Sequence, residues 1–166
     1  KKIFRQKCKI INILKDGKKT TKNQIIGKIK GPAKEILKKE RVMLNLIQRL
    51  SAISTKTNKI VKKAQKYGVK ILDTRKTTPG LRIFEKYAVK VGGGYNHRMD
   101  LSSGVMIKDN HLMGNPNILE AITKAKQKTP NKDIQVEVET LEQLDVVLQS
   151  KATSVLLDNF KPSDLI

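Results

Sequence analysis

From Lys70 onward, short apolar runs alternate with amphipathic stretches, and this alternation narrows the choice of fold sharply. The runs are "VKILDTR", "GVMIKDN", "IQVEVE" and "SVLLDN". Between them lie "LRIFEKYAVKV", "PNILEAITKAKQK" and "LEQLDVVLQS", with apolar residues at helical spacing. Strand and helix in turn specify an α/β fold with a parallel sheet. A closed eightfold barrel takes about 250 residues. The four units present here cannot close one, which suggests a truncated chain.

Upstream the pattern differs. "KCKIINILKDGKKTTKNQIIGKIKGP" reads as strands with a turn at Asp16-Gly17. A long helical pattern follows, with Pro32 near its start and Gly68 just past its end. Ile36, Met43, Ile47 and Leu50 form its expected apolar stripe. Arg41 borders that stripe; such a cation either snorkels to solvent or reaches into a neighbouring subunit's site. A boundary is expected near residues 30–34, between a small β-rich piece and the α/β units. Both ends read as cut: Lys1 is not an initiator Met, and Ser163 in "KPSDLI" resembles the cap of a further helix.

Composition excludes several classes. With 166 residues and 38% hydrophobic content, the chain is long and apolar enough for a real core. No apolar run approaches the ~20 residues of a membrane span, and no signal peptide is read at the start. Cys8 is the only cysteine, which rules out an internal disulfide and fits a reducing, cytoplasmic setting. Lys and Arg number 35 against 15 acids, a formal charge of +20. Such a charge attracts polyanions, so a basic nucleic-acid-binding module is an alternative reading. The lysines are scattered, aromatics are 4%, Trp is absent and no recognition motif is present.

Chemistry collects where the strands end. In "IQVEVE", Ile134, Val136 and Val138 point one way and Gln135, Glu137 and Glu139 the other. The apolar side should meet helices, leaving the acids toward a barrel interior or mouth. The late charges of the successive strands are Arg75 with Lys76, then Lys108, then Glu137, then Asp158. Active sites of α/β barrels and open sheets lie at this edge. Cations on two strands followed by acids on the next two suit a polyanion with Mg²⁺ between acids and phosphates. "VGGGYNHRMDLSSG" adds His97 and Arg98 after three glycines that let backbone come close. The glycine run matches no P-loop or dinucleotide fingerprint. His111 reads as structural. No Cys/His spacing supports zinc; composition leaves a Ser-His-Asp triad open, but no nucleophile elbow is present.

"ERVMLNLIQRLSAIST", "LDTRKTTPGLRIFEKYAVKVGGGYNHRMDL", "IKDNH", "VEVETLEQL" and "LLDNF" together resemble quinolinate phosphoribosyltransferase. The resemblance covers nearly all of the chain from about Gly31. It implies an incomplete α/β barrel of the type II phosphoribosyltransferases, preceded by the remainder of an N-terminal α/β sandwich domain. In that frame residues 1–33 belong to the sandwich, 34–68 to a connecting helix and 69–166 to the first βα units of the barrel. It implies phosphoribosyl transfer from phosphoribosyl pyrophosphate to quinolinate with decarboxylation, using Mg²⁺, on the route to NAD. Carried over by position, Arg75, His97 and Arg98 match the contacts to the quinolinate carboxylates. Arg41 matches an arginine donated across a homodimer interface into the partner's site. Lys76 and Lys108 match lysines near substrate and pyrophosphate, and Glu137 and Asp158 match acids that hold Mg²⁺ and ribose hydroxyls. No specific nucleic acid and no membrane partner is implied.

The sequence departs from the family at "SAIST", where Ala52 and Ser54 vary, and at "LSSGVMIK", which lacks an acid around Ser103. The family's opening segment and its later Gly-rich strands, which bind the ribose 5-phosphate, do not occur in it. The 166 residues alone are therefore expected to turn over little or not at all.

Overall fold

The computed structural model describes residues 7–113 and 117–165. The chain divides into two compact units, one through His97 and one from Arg98 onward. Its architecture is α/β.

In the first unit, β1 (Lys9–Ile11) and β2 (Lys28–Lys30) form an antiparallel ribbon with Ile10 opposite Ile29. Gly17 takes a φ of 81°, the left-handed conformation that the expected turn requires. Helix α1 (Ala33–Ala64) follows Pro32 directly. It tightens into a 3₁₀ turn and ends at Gly68, left-handed at φ 69°. Its less exposed line runs Leu46, Leu50, Ile53, Thr57, Val61 and Ala64. Met43 and Leu50 hold their expected place, but Ile47 is exposed.

The register of α1 is set by α2 (Arg82–Val91) and the glycines after it. A Cβ on Gly92 would lie 2.6 Å from the Ser54 carbonyl oxygen and 2.8 Å from Thr57 Cβ. One on Gly94 would come within 3.0 Å of Thr57 Cγ2 and 2.8 Å of Val89 Cγ1. The Ser54 hydroxyl donates to the Ala88 carbonyl at 2.7 Å, and the Asn58 amide to that of Gly92 at 3.2 Å. The glycines thus bring backbone close to a helix.

"VKILDTR" does not form a full strand. It makes one parallel bridge, Leu72 to Tyr95, with the Tyr95 N–H donating to Ile71 O and the Asp73 N–H to Tyr95 O. Polar residues take over from Asp73 onward, and their side chains bind backbone instead of extending a ladder.

The second unit contains a parallel three-stranded sheet: β3 (Val105–Ile107), β4 (Ile134–Val138) and β5 (Ser154–Leu157), in that spatial order. Short α3 (Asp109–Leu112) follows β3, α4 (Ile118–Lys128) precedes β4, and α5 (Leu141–Leu148) joins β4 to β5. Asn117 caps α4 by accepting from the Glu120 N–H, and Thr140 caps α5 by accepting from that of Gln143. The Gln143 side chain in turn accepts from the Glu139 N–H, which fixes the chain just after β4. Ile134, Val136 and Val138 are fully buried, and they pack with Ile107, Ile118, Ile122 and Val147. The alternation in "IQVEVE" is therefore the division between core and polar face. Pro162–Leu165 forms a 3₁₀ turn in which Asp164 accepts from the Lys161 N–H.

Candidate functional site

In the second unit, strand register places three charges on one face. Ile107 pairs with Val136, so Lys108 comes level with Glu137. Val138 pairs with Leu157, so Asp158 lies one step further along. Lys108, Glu137 and Asp158 all follow the alternation away from the core face. Lys108 Nζ donates to Glu137 Oε2 at 2.6 Å, and the pair is largely shielded from solvent. The Asp158 N–H donates to Val138 O at 2.9 Å, continuing the ladder by one bond. Its carboxylate accepts from the Asn159 amide, and Asn159 turns left-handed at φ 60°. Gln135 lies on the same face, and its buried Oε1 has no hydrogen-bond partner among the described residues.

Arg98 opens this unit, its guanidinium donating to Gly104 O at 2.9 Å. Asp100 then gathers the N–H groups and hydroxyls of Ser102 and Ser103. Those hydrogen bonds, the Ser103 hydroxyl's first, hold its carboxyl down at about 2. His111 is structural: its Nδ1 accepts from the Lys108 N–H at 2.9 Å, fixing the turn after β3.

In the first unit the segment 73–78 is held by its own hydroxyls and backbone groups. The Lys76 N–H donates to Thr74 Oγ1 at 3.1 Å, and the Thr77 N–H to Arg75 O at 2.9 Å. Arg82 on α2 donates to Thr77 Oγ1 at 3.2 Å and Arg75 O at 3.3 Å. Arg75 Nε is buried and has no hydrogen-bond partner among the described residues. Such an orphan costs free energy until an acceptor meets it. Lys76 is exposed, and so is Arg41, about two helical turns before Arg49 on α1.

Sequence reasoning passes over the groups that hold this segment. Asp73 and Lys86 form an almost fully buried ion pair, 6% and 2% exposed. Asp73 Oδ1 also accepts from the His97 N–H at 2.8 Å, and Oδ2 from the Asn96 amide at 2.5 Å. The same Asn96 nitrogen donates to Lys86 O at 2.8 Å. Glu85, also buried, accepts from Arg49 Nε at 2.7 Å and the Thr78 N–H at 3.2 Å. Arg49 Nη2 reaches Thr78 Oγ1 at 2.5 Å. An amphipathic pattern assigns charged residues to solvent, so buried Glu85 and Lys86 leave no periodic signal. The acid ending "VKILD" is the one clue to them in the sequence.

Burial disfavours the charge on Glu85, but the hydrogen bonds from Arg49 and Thr78 outweigh it and hold its carboxyl below the ordinary 4.5. A depressed folded-state value gives stability that is complete above the unfolded value and lost as pH falls through the folded one. The first unit should therefore weaken below about pH 4.5. Urea unfolding of wild type and Glu85→Gln at a series of pH values checks this. The stability difference between them should shrink as pH falls; a difference independent of pH would contradict it.

The comparisons decide the family. The model described as "Quinolinate phosphoribosyl transferase, C-terminal domain" matches residues 53–166, and its N-terminal counterpart matches 1–51. The chain belongs to the quinolinate phosphoribosyl transferase family. It is 50% identical over 149 residues to the probable nicotinate-nucleotide pyrophosphorylase (carboxylating) of Bacillus subtilis, covering 89% of this chain and 52% of that protein. The Mycobacterium leprae nicotinate-nucleotide pyrophosphorylase (carboxylating) is 40% identical, with 92% and 54% covered. The chain thus spans about half the length of these relatives. Among solved structures, the nicotinate-nucleotide pyrophosphorylase from Francisella tularensis superposes with a TM-score of 0.90 at 42% identity, covering 98% of this chain and 59% of that one. The Ehrlichia chaffeensis enzyme gives 0.93 at 36% identity, with 99% and 61% covered. At these identities the fold is that of the family.

Proposed function

We propose that the protein containing this chain transfers a phosphoribosyl group from phosphoribosyl pyrophosphate to quinolinate. The products are nicotinate mononucleotide, pyrophosphate and carbon dioxide. Family membership supports this reading, and the buried Arg75 Nε, unpartnered among the described residues, carries it down to a residue. A guanidinium with an unmade hydrogen bond is suited to a carboxylate. The same reading favours the transferase over a basic nucleic-acid-binding module. Among the described residues no helix is long and apolar enough to cross a membrane.

In this reading Arg75, His97 and Arg98 bind the two carboxylates of quinolinate. Lys76 and Lys108 face the substrate and pyrophosphate charge. The ring nitrogen attacks the ribose C1 as the C1–O bond to pyrophosphate breaks, and the electron pair leaves with pyrophosphate. The nitrogen becomes cationic, so the carbon beside it can hold the electron pair left when its carboxylate departs as carbon dioxide. A proton then takes that position. The chain's contribution is placement and charge stabilisation.

Glu137 and Asp158 would hold Mg²⁺, which supplies neutralisation of phosphate charge. Two carboxylates on one sheet face suit an ion that takes one or two carboxylates and completes its shell with phosphates and water. Glu137 is engaged by Lys108, so the lysine would release or share it. The exposed Arg41 would reach the partner's site in a homodimer. The single Cys8 supports a cytoplasmic setting. Residues 1–33, 34–68 and 69–166 would be sandwich remainder, connecting helix and barrel units.

The test is the full-length protein with quinolinate labelled in the carboxyl beside nitrogen, phosphoribosyl pyrophosphate and Mg²⁺. Labelled carbon dioxide should appear one-for-one with nicotinate mononucleotide and cease on chelation. Pyrophosphate release indifferent to quinolinate would refute the reading.

A further inference from the structure

We infer that Asp73 is a positioning residue for the pyridine diacid: its carboxylate holds the segment carrying His97 beside the segment carrying Arg75. The inference rests on the transferase reading above. Three donors converge on this one carboxylate: Lys86 Nζ, the His97 N–H at 2.8 Å and the Asn96 amide at 2.5 Å. The backbone adds a parallel bridge, with Asp73 N–H to Tyr95 O at 3.0 Å. The residue two places after Asp73 is Arg75, and the peptide it grips directly is that of His97.

The acceptor must be a carboxylate. Two oxygens offer about four lone-pair sites. An amide offers one oxygen, and its NH₂ would confront donors. Lys86 has a separable part in this. It compensates a charge that would otherwise be buried alone, while His97 and Asn96 read the geometry. Asn96 also donates to Lys86 O at 2.8 Å, tying the clamp to α2. Two anion-binding groups on separate loops lose their mutual placement when the clamp opens, and misplacement by about 1 Å costs up to roughly a hundredfold in rate.

Two variants of the full-length protein test this. Asp73→Asn with Lys86→Met removes both charges together, and Asn96→Ala removes one arm at an exposed position. The double variant should raise the quinolinate KM and Kd roughly tenfold or more, leaving the KM for phosphoribosyl pyrophosphate within about twofold. Asn96→Ala should stay folded and raise the quinolinate KM severalfold, leaving the KM for phosphoribosyl pyrophosphate within about twofold. A merely structural role would move both substrates together or neither. If the double variant does not fold, Asn96→Ala decides. Quinolinate affinity within about twofold of wild type in the folded variants overturns the positioning role alone. Wild-type protein that binds no quinolinate overturns the transferase reading and this inference with it.

Discussion

Arg75→Ala in the full-length protein should lose about 2–5 kcal/mol of quinolinate binding, the cost of removing one partner from a buried, hydrogen-bonded charge pair. In kinetic terms that is roughly a thirtyfold to several-thousandfold rise in the quinolinate requirement. Arg75 Nε is already withdrawn from water and unpaired among the described residues. The free protein has therefore met part of the desolvation cost before any ligand arrives. On the proposed reading, quinolinate would supply the missing hydrogen bond without repeating that cost, which is what preorganisation means energetically. Arg75→Lys should also fail substantially, because an ammonium cannot reproduce a planar fork. The surrounding turn should survive either change. Its backbone is held by Thr74, Thr77 and Arg82, and the Arg75 contribution to it is the carbonyl. The measurement is quinolinate titration by calorimetry beside a urea melt. Wild-type affinity in Arg75→Ala would remove this residue from the site.

Lys86→Met should destabilise the protein by about 3–5 kcal/mol, because it strands a buried carboxylate. The methionine fills the space of the lysine stem, so lost volume is a small part of the effect. The Asp73 carboxylate keeps its N–H donors from Asn96 and His97 but loses its counter-charge. Pairing Lys86→Met with Asp73→Asn should restore much of the loss, since replacing both members of a buried pair is often near neutral. Urea unfolding of the wild type, the two single variants and the double gives the coupling energy directly. A single-variant loss below about 1 kcal/mol would show the pair to be solvated in practice.

Much of the fold is legible in the order of the residues. The 32 residues of α1 lie between Pro32 and Gly68 as those two residues dictate. The alternation in β4 names its buried side. Thr140 and Asn117 act as the caps their residue types favour. Ile47, expected on the apolar stripe of α1, is exposed, and two further expectations need amending. "VKILDTR" has the pattern of a strand, but Asp73 and the threonines after it spend their side chains on backbone groups, so pairing stops at one bridge. The glycines ahead of His97 permit close backbone approach, and the approach they permit is toward Ser54 and Thr57 of α1.

What the sequence determined by itself was the period of each segment and the residue types at strand ends, because both are local properties carried by neighbouring positions. Tertiary structure alone decided that Lys86 would pair with Asp73, that Glu85 would meet Arg49, and that Lys108 would stand level with Glu137. Those pairings join residues 13, 36 and 29 positions apart. Charge by itself does not say which distant partner makes burial tolerable; only the packing that brings the two ends of a pair together does.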